Sequence, residues 1–549
     1  MAYVHTDVMV LLLVSSYCLA EDFDPPIITY PNGSHNLYYR SGDRVRIKCT
    51  AEGKPPPTYR WLENDVEIKS SPEIHYNETT GALEITSFSL RHQTSYRCVA
   101  SNQHEVDANQ RVTVSTMSKK IRLWQLRLEK FATADVTKDV VEYDYLVLPC
   151  GDRKASVTPA LRYTWYNAGD HTSVGMASGR LYIDLEGSLH FTYVLLGDGR
   201  IPGYSCGISA KLSDVPLIRL GTKFIVKVSP ATTAPAETKP QFRYSNNVVF
   251  AMKDSAATLE CMFSGYGTRL YPIQTWVDVN GTAQYVDSSK YKISADGRQM
   301  TVYNVQEDDE RFYFCWASYG PGLHASFAVF LNVTSPPFFS TSPPTDQTGI
   351  QNSSAQFICD TRSVRDEVPP SPPDWSINGK RMMNTYDRDK FQLSNDSKVL
   401  TVKNLRKHRD VMCVQCEVYN SVGAALASAC LNVIMEIQIL TRPQAVQDIE
   451  YGGIIDLTVK ASTDPTVNLS YRWYSPTVTF DESSIPEYVS YNPQSHEALI
   501  DTSRLSLGDY NLTAGMYNIN VFHQYESRIF GTEVKLTWTP MSTTTTGMW

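Results

Sequence analysis

The sequence predicts an all-β chain of tandem β-sandwiches, and three observations carry that prediction. Four cysteine pairs recur along the chain: Cys49 with Cys98, Cys150 with Cys206, Cys261 with Cys315 and Cys359 with Cys416. The first members stand 101, 111 and 98 residues apart, and their partners follow after 49, 56, 54 and 57 residues. A tryptophan stands inside each pair, Trp61, Trp165, Trp276 and Trp375, placed 12, 15, 15 and 16 residues after the first cysteine. Three of the second cysteines have a tyrosine two residues earlier: Tyr96, Tyr204 and Tyr313. Flanking segments alternate apolar and polar residues, as in Val45-Arg46-Ile47-Lys48-Cys49, and no long amphipathic helix pattern interrupts them.

A repeat of about 100 residues carrying Cys…Trp…Tyr-x-Cys is the immunoglobulin sandwich signature. The first cysteine belongs on strand B of one sheet and the second on strand F of the other. Their bond crosses the core, the tryptophan packs against it, and the tyrosine hydroxyl turns back onto local backbone. Each bridge closes a loop of about 55 residues, worth roughly 4 kcal/mol in the chain-entropy account. A fifth unit continues the period without cysteines: Val459 falls 100 residues after Cys359, Trp473 follows, and Tyr517-Asn518-Ile519 occupies the Tyr-x-Cys position. Val459 and Ile519 therefore read as apolar replacements for a bridge, with an unrelated β domain as the alternative. The expected fold class is five tandem immunoglobulin-like sandwiches at 25–116, 119–229, 240–335, 336–434 and 436–540, with a linker at 230–239.

Two further cysteines lie in the fourth unit. If Tyr419 faces Ala424 across the turn at Asn420-Ser421-Val422-Gly423, paired positions sum to 843, and Cys413 faces Cys430. Cys413 is three residues from Cys416, so alternation turns it away from the core. The expectation is a surface cross-strand disulfide. The alternatives are two free thiols, or an exchange in which Cys413 takes Cys359.

The eleventh cysteine, Cys18, belongs to an apolar run from Val8 to Ala20 that is followed at once by Glu21-Asp22. That run is too short to span a bilayer as a mature helix and reads as a signal peptide, residues 1–20. Its removal leaves ten cysteines, an even number, as an oxidising compartment demands. Eight Asn-x-Ser/Thr acceptors fit the same compartment: Asn32, Asn77, Asn280, Asn332, Asn352, Asn395, Asn468 and Asn511. No later run approaches 18 apolar residues, so neither a transmembrane helix nor a lipid-anchor signal is expected, and 541–549 reads as a Ser/Thr tail.

At finer grain, several phrases resemble the neuroglian and neurofascin type of neural cell adhesion molecule. Gly53-Lys54-Pro55-Pro56-Pro57-Thr58-Tyr59-Arg60-Trp61 looks like the B–C segment of their first domain, and Leu146-Val147-Leu148-Pro149-Cys150 is similar to their second. Trp375-Ser376-Ile377-Asn378-Gly379 and Asp410–Asn420 resemble the fourth, and Ile437-Gln438-Ile439-Leu440-Thr441 the junction beyond it. The resemblance runs through residues 25–440 in domain order. It implies homophilic and heterophilic adhesion in neural recognition or axon guidance. Itself in trans and other cell-surface immunoglobulin-domain proteins are the implied partners. It also implies a horseshoe, with domain 1 packed on domain 4 and domain 2 on domain 3. Ser229–Pro240 would supply the slack, since twelve extended residues reach roughly 37 Å; an extended rod is the alternative. Hemolin, a secreted insect relative of four domains, suggests a second role, a soluble immune factor binding microbial surfaces or haemocytes.

Composition and motifs exclude other classes. Fifty basic against 58 acidic residues give a net charge of −8, so no nucleic-acid partner is expected. Gly203-Tyr204-Ser205-Cys206-Gly207 matches the hydrolase nucleophile elbow, but its residues already carry Tyr-x-Cys on a strand, where that elbow cannot form. Eleven histidines show no metal-ligand spacing, and no cofactor, metal or enzymatic activity is expected. Asp198-Gly199-Arg200 and Asp296-Gly297-Arg298 read as turns. The basic stretch Lys119–Lys130 reads as the domain 1–2 junction and opening strand of domain 2, with an anionic glycan such as heparan sulfate as a candidate ligand.

Overall fold

Alternating burial along each strand leaves one face of every sheet apolar, and the sheets pair to bury it. The computed structural model describes residues 23–33, 35–107, 110–126, 134–150, 161–176, 179–210, 217–233, 235–267, 271–281, 284–364, 369–382 and 386–537. The expected leader (1–20) and the Ser/Thr tail (541–549) lie outside the described residues. The structure contains five two-sheet sandwiches in tandem.

Domain 3 shows the plan. Strands A (Gln241–Ser245), B (Ala257–Ser264), E (Gln299–Val302) and D (Tyr291–Ile293) form one antiparallel sheet. Strands A′ (Val248–Met252), G (Leu323–Thr334), F (Arg311–Gly320) and C (Ile273–Val277) form the other, with A′ parallel to G. The other domains repeat this A′GFC sheet, and domains 1, 4 and 5 add a short C′ strand.

The predicted core residues on strands C and F pair within one sheet in the same register in each domain. Trp61 lies opposite Cys98, Trp165 opposite Cys206, Trp276 opposite Cys315 and Trp375 opposite Cys416. Disulfides join Cys49–Cys98, Cys150–Cys206, Cys261–Cys315 and Cys359–Cys416. Each of these indoles donates to a buried-side carbonyl on the loop before strand E: Gly81, Gly187, Gly297 and Ser397. The tyrosine hydroxyls of Tyr96, Tyr204 and Tyr313 donate to the carbonyls of His92, Asp198 and Asp309.

Domain 5 builds the same core without sulfur. Trp473 lies opposite Ile519, and Tyr517 donates to the Thr513 carbonyl at 3.0 Å. The pairing Ile439↔Ala461 repeats Ile28↔Ala51 of domain 1, which sets Val459 at the position of Cys49. Val459 and Ile519 are both fully buried. The Trp473 indole instead donates to the Leu457 carbonyl, between the strands Ile454–Asp456 and Lys460–Ser462.

Domain 1 ends later than expected. Its strand G is split into Gln110–Met117 and Ile121–Gln125, and the second piece pairs with A′ (His35–Tyr39) and with the start of F (Ser95–Asp107). The expected boundary at 116 is therefore corrected to about 126. Lys119–Leu126 closes domain 1; it does not open domain 2. Ser118 causes the offset: its hydroxyl accepts from Cys98 N and its own N–H donates to the Cys98 carbonyl. The strand then resumes with Ile121 and Leu123 buried in the first core.

Candidate functional site

Several buried polar and charged groups lie where domains meet, among them Arg97, Gln415, Glu260, Arg298 and Asp464. Strand G of domain 2 (Leu217–Ser229) ends at the Pro- and Thr-rich segment, and strand A of domain 3 begins at Gln241. The chain reverses there, so domain 1 packs on domain 4 and domain 2 on domain 3.

The domain 1–4 interface joins two A′GFC faces. On strand F of domain 4 (Met412–Tyr419), Val414, Cys416 and Val418 enter the core, while Cys413, Gln415 and Glu417 face domain 1. Arg97, on strand F of domain 1, donates to Glu417 Oε1 at 2.7 Å, to Asp65 Oδ1 at 3.1 Å and to the Ser118 carbonyl at 2.9 Å. Arg381 stands 3.5 Å from both Asp65 and Glu417 and 3.4 Å from Asp374. Burial holds the Asp374 carboxyl above its usual range, against the pull of Arg381. The Gln415 amide accepts from Met117 N at 2.8 Å and donates to Met117 O at 2.9 Å, standing in for a neighbouring strand. Asn378 Oδ1 accepts from both Ser115 N and Cys413 N.

The C–C′ turn of domain 4 fits closely. Gly379 has φ +71°, and a Cβ there would lie 3.0 Å from Val99 Cγ1 and 3.4 Å from Met117 Cγ. Only glycine combines that backbone with that approach.

Cys413 and Cys430 face each other across strands F and G and are joined, as the register arithmetic requires. The expectation of a surface bridge is corrected: both residues are buried. Val106 and Val114 of domain 1 belong to the same buried cluster. Alternation did turn Cys413 away from the sandwich core, but that outer face is covered by domain 1.

Domains 2 and 3 meet through their other sheets. Glu260 on strand B of domain 3 is fully buried. It accepts from the Tyr182 hydroxyl, from Leu185 N at 2.8 Å and from Gln299 Nε2 at 2.8 Å. Burial raises its carboxyl to about 6, against these three donors and with a further push from Asp184. Arg298 is also fully buried, donates to Gly179 O at 2.7 Å and lies over the Tyr182 and Tyr271 rings. Its guanidinium is satisfied by a carbonyl and π faces as well as by Asp296.

The two D-G-R turns thus differ. Asp198 holds Arg180 in a bidentate pair at 2.8 and 2.9 Å within domain 2, whereas Arg298 is a domain-interface residue. Ser205 of the apparent elbow lies on strand F and donates to the Gly221 carbonyl. Among the described residues no group of His, Cys, Asp or Glu could hold a metal, and no helix is long and apolar enough to cross a membrane. Seven of the eight glycan-acceptor asparagines are exposed, and Asn332 is partly buried. Domain 5 follows domain 4 directly, and polar contacts join the two. Lys407 pairs with buried Asp464, Met435 N donates to Asp464 at 3.0 Å, and Ile437 N donates to Glu526 at 2.8 Å.

Paired sandwiches folded back in this way define a tandem immunoglobulin-domain protein of the horseshoe type. The family model described as "Immunoglobulin domain" matches residues 25–102. The chain's homologues are neural cell adhesion molecules of the immunoglobulin superfamily, from the L1, neuroglian and contactin groups. Human neural cell adhesion molecule L1 is 26% identical over 84% of this chain and 35% of its own length. Neuroglian of Drosophila melanogaster is 24% identical over the same shares. The chain thus spans about a third of the length of these relatives. Among solved structures, Sidekick-1 immunoglobulin domains 1–5 match 94% of this chain and all of that one (TM-score 0.52, 19% identity). The insect immune protein hemolin matches 75% of this chain and all of that one (TM-score 0.57, 16% identity). These two likenesses are likenesses of fold.

Proposed function

We propose that the chain is an extracellular adhesion and recognition protein. It binds a second copy in trans, or other cell-surface immunoglobulin-domain proteins, through its four N-terminal domains in neural cell adhesion or axon guidance. The observation that carries this reading is the folded-back body, closed at one end by Arg97–Glu417 and at the other by Glu260–Tyr182. Such a body offers broad rigid faces to a partner and pays the ordering cost before binding. The names of its relatives support the same reading. The reading needs no cofactor and no catalytic group.

Beads coated with the secreted protein should cluster, and beads coated with the Arg97→Ala variant should cluster less. Wild-type beads that stay dispersed would sink the homophilic part. The anionic-glycan ligand rests on less. Of Lys119, Lys120 and Arg122, only Arg122 is exposed, Lys120 is drawn to Asp65 at 3.9 Å, and 127–130 lie outside the described residues. Heparin retention that survives changing Lys119, Lys120 and Arg122 to alanine would remove it.

A further inference from the structure

The horseshoe leaves the A′GFC faces of domains 2 and 3 uncovered, and the two are chemically unlike. On domain 2 the outward positions mix polar residues such as Arg162, Thr164 and Lys223 with aliphatic ones such as Val141 and Leu220, and the domain contains no glycan acceptor. On domain 3 the outward positions of A′ are Val248, Phe250 and Met252, and those of F include Phe312 and Trp316. Phe250 is 73% exposed, Met252 51% and Phe312 51%. Phe312 and Phe330 lie with ring centroids 4.9 Å apart. A soluble monomer rarely leaves so contiguous an aromatic face bare.

One acceptor lies inside this face. Asn332 is on strand G, directly beside Phe250 on A′. Phe330 stands two residues before it and Thr334 two after, so alternation puts all three on one side of the strand. The other seven acceptors are exposed; Asn332 is partly buried, and its Oδ1 is buried without a hydrogen-bond partner. Its Oδ1 is thus shielded on the sheet face that also carries Phe250 and Phe330.

We propose that Asn332 carries an N-linked glycan whose first sugars lie over Phe250, Phe330 and Phe312 and close this face to protein partners. The donor is an oligosaccharide on a lipid diphosphate. The bond from Asn332 Nδ2 to the sugar C1 forms as the C1–O bond breaks, one amide proton is lost, and the lipid diphosphate leaves. Asn332-Val333-Thr334 supplies the acceptor triplet. A pyranose ring presents a face of C–H groups, which suits the negative face of an aromatic ring and removes apolar surface from water. The glycan is thus an intramolecular ligand, and the face of domain 2, which carries no acceptor, is the one left open.

The proposal requires passage through the secretory compartment and rests on that part of the functional reading alone. The test is hydroxyl-radical footprinting of the secreted full chain, with glycopeptide mapping, on wild type, Asn332→Gln, Thr334→Ala and, as a control on the same domain, Asn280→Gln. Asn332 should be occupied. Oxidation of Phe250 and Phe312 should rise at least threefold in Asn332→Gln and Thr334→Ala and stay unchanged in Asn280→Gln. Asn332 bare while the other acceptors are filled would overturn the proposal, as would equal oxidation in all four proteins. All eight acceptors bare would count against secretion itself.

Discussion

Arg97 reaches Glu417 across 320 residues of chain, and its guanidinium is almost wholly out of water. Removing one member of such a pair strands the other, at a cost of about 3 kcal/mol. Arg97→Ala should therefore open the domain 1–4 contact. Hydrogen exchange at Met117 checks this, because its amide donates to Gln415 of domain 4 and should lose protection. Arg97→Lys keeps the charge but not the fork and should give an intermediate loss. Glu260 acts at the other end and makes that contact depend on pH. Its carboxyl is raised from 4.5 to about 6 by burial, so the docked state binds its proton more tightly than the undocked state. That contribution is fully present below about pH 4.5 and is lost as pH rises through 6. It amounts to about 2 kcal/mol at low pH and is gone by about pH 7. The urea midpoint of wild type should fall across that window relative to Glu260→Gln. Parallel pH profiles for the two proteins would contradict the assignment.

At the scale of elements, the sandwich core was legible because its residues recur with the repeat and their roles are local. Cysteine, tryptophan and tyrosine spacing placed strands B, C and F, and the strand arithmetic paired Cys413 with Cys430. The interfaces were not legible. Cys413, Gln415 and Glu417 alternate as a solvent-facing row would, and alternation cannot tell water from another domain. Arg298 likewise sits in a sequence that reads as an exposed turn, and only the fold brings Gly179 to it. Strand G of domain 1 was misplaced because the offset at Ser118 is a hydrogen-bonding event with no spacing signature. Two element-level outcomes follow. Gly379→Ala should weaken domain 1–4 docking by about 1 kcal/mol, since it strains a left-handed residue and crowds Val99. The thermal midpoint and the rate of limited proteolysis at 230–239 should both report it. Reduction should cost each of domains 1 to 4 about 2–5 kcal/mol and leave domain 5 unaffected, because Val459 and Ile519 fill its bridge site. Calorimetry with and without reductant, assigning the surviving transition to domain 5, checks this.

At the scale of the whole molecule, two unlike interfaces act on one reversal of the chain. The domain 1–4 contact combines a charge network with apolar packing from Val106 and Val114, whereas the domain 2–3 contact is built on a carboxyl, an arginine and tyrosine rings. Domain 5 extends the body through the buried Lys407–Asp464 pair. The proposed adhesion through domains 1 to 4 depends on this body staying closed. Small-angle X-ray scattering of the purified chain at neutral pH tests that most directly. The account predicts a compact four-domain mass with one domain projecting, and a longer maximum dimension for Arg97→Ala. A wild-type maximum dimension equal to five sandwiches laid end to end would contradict it.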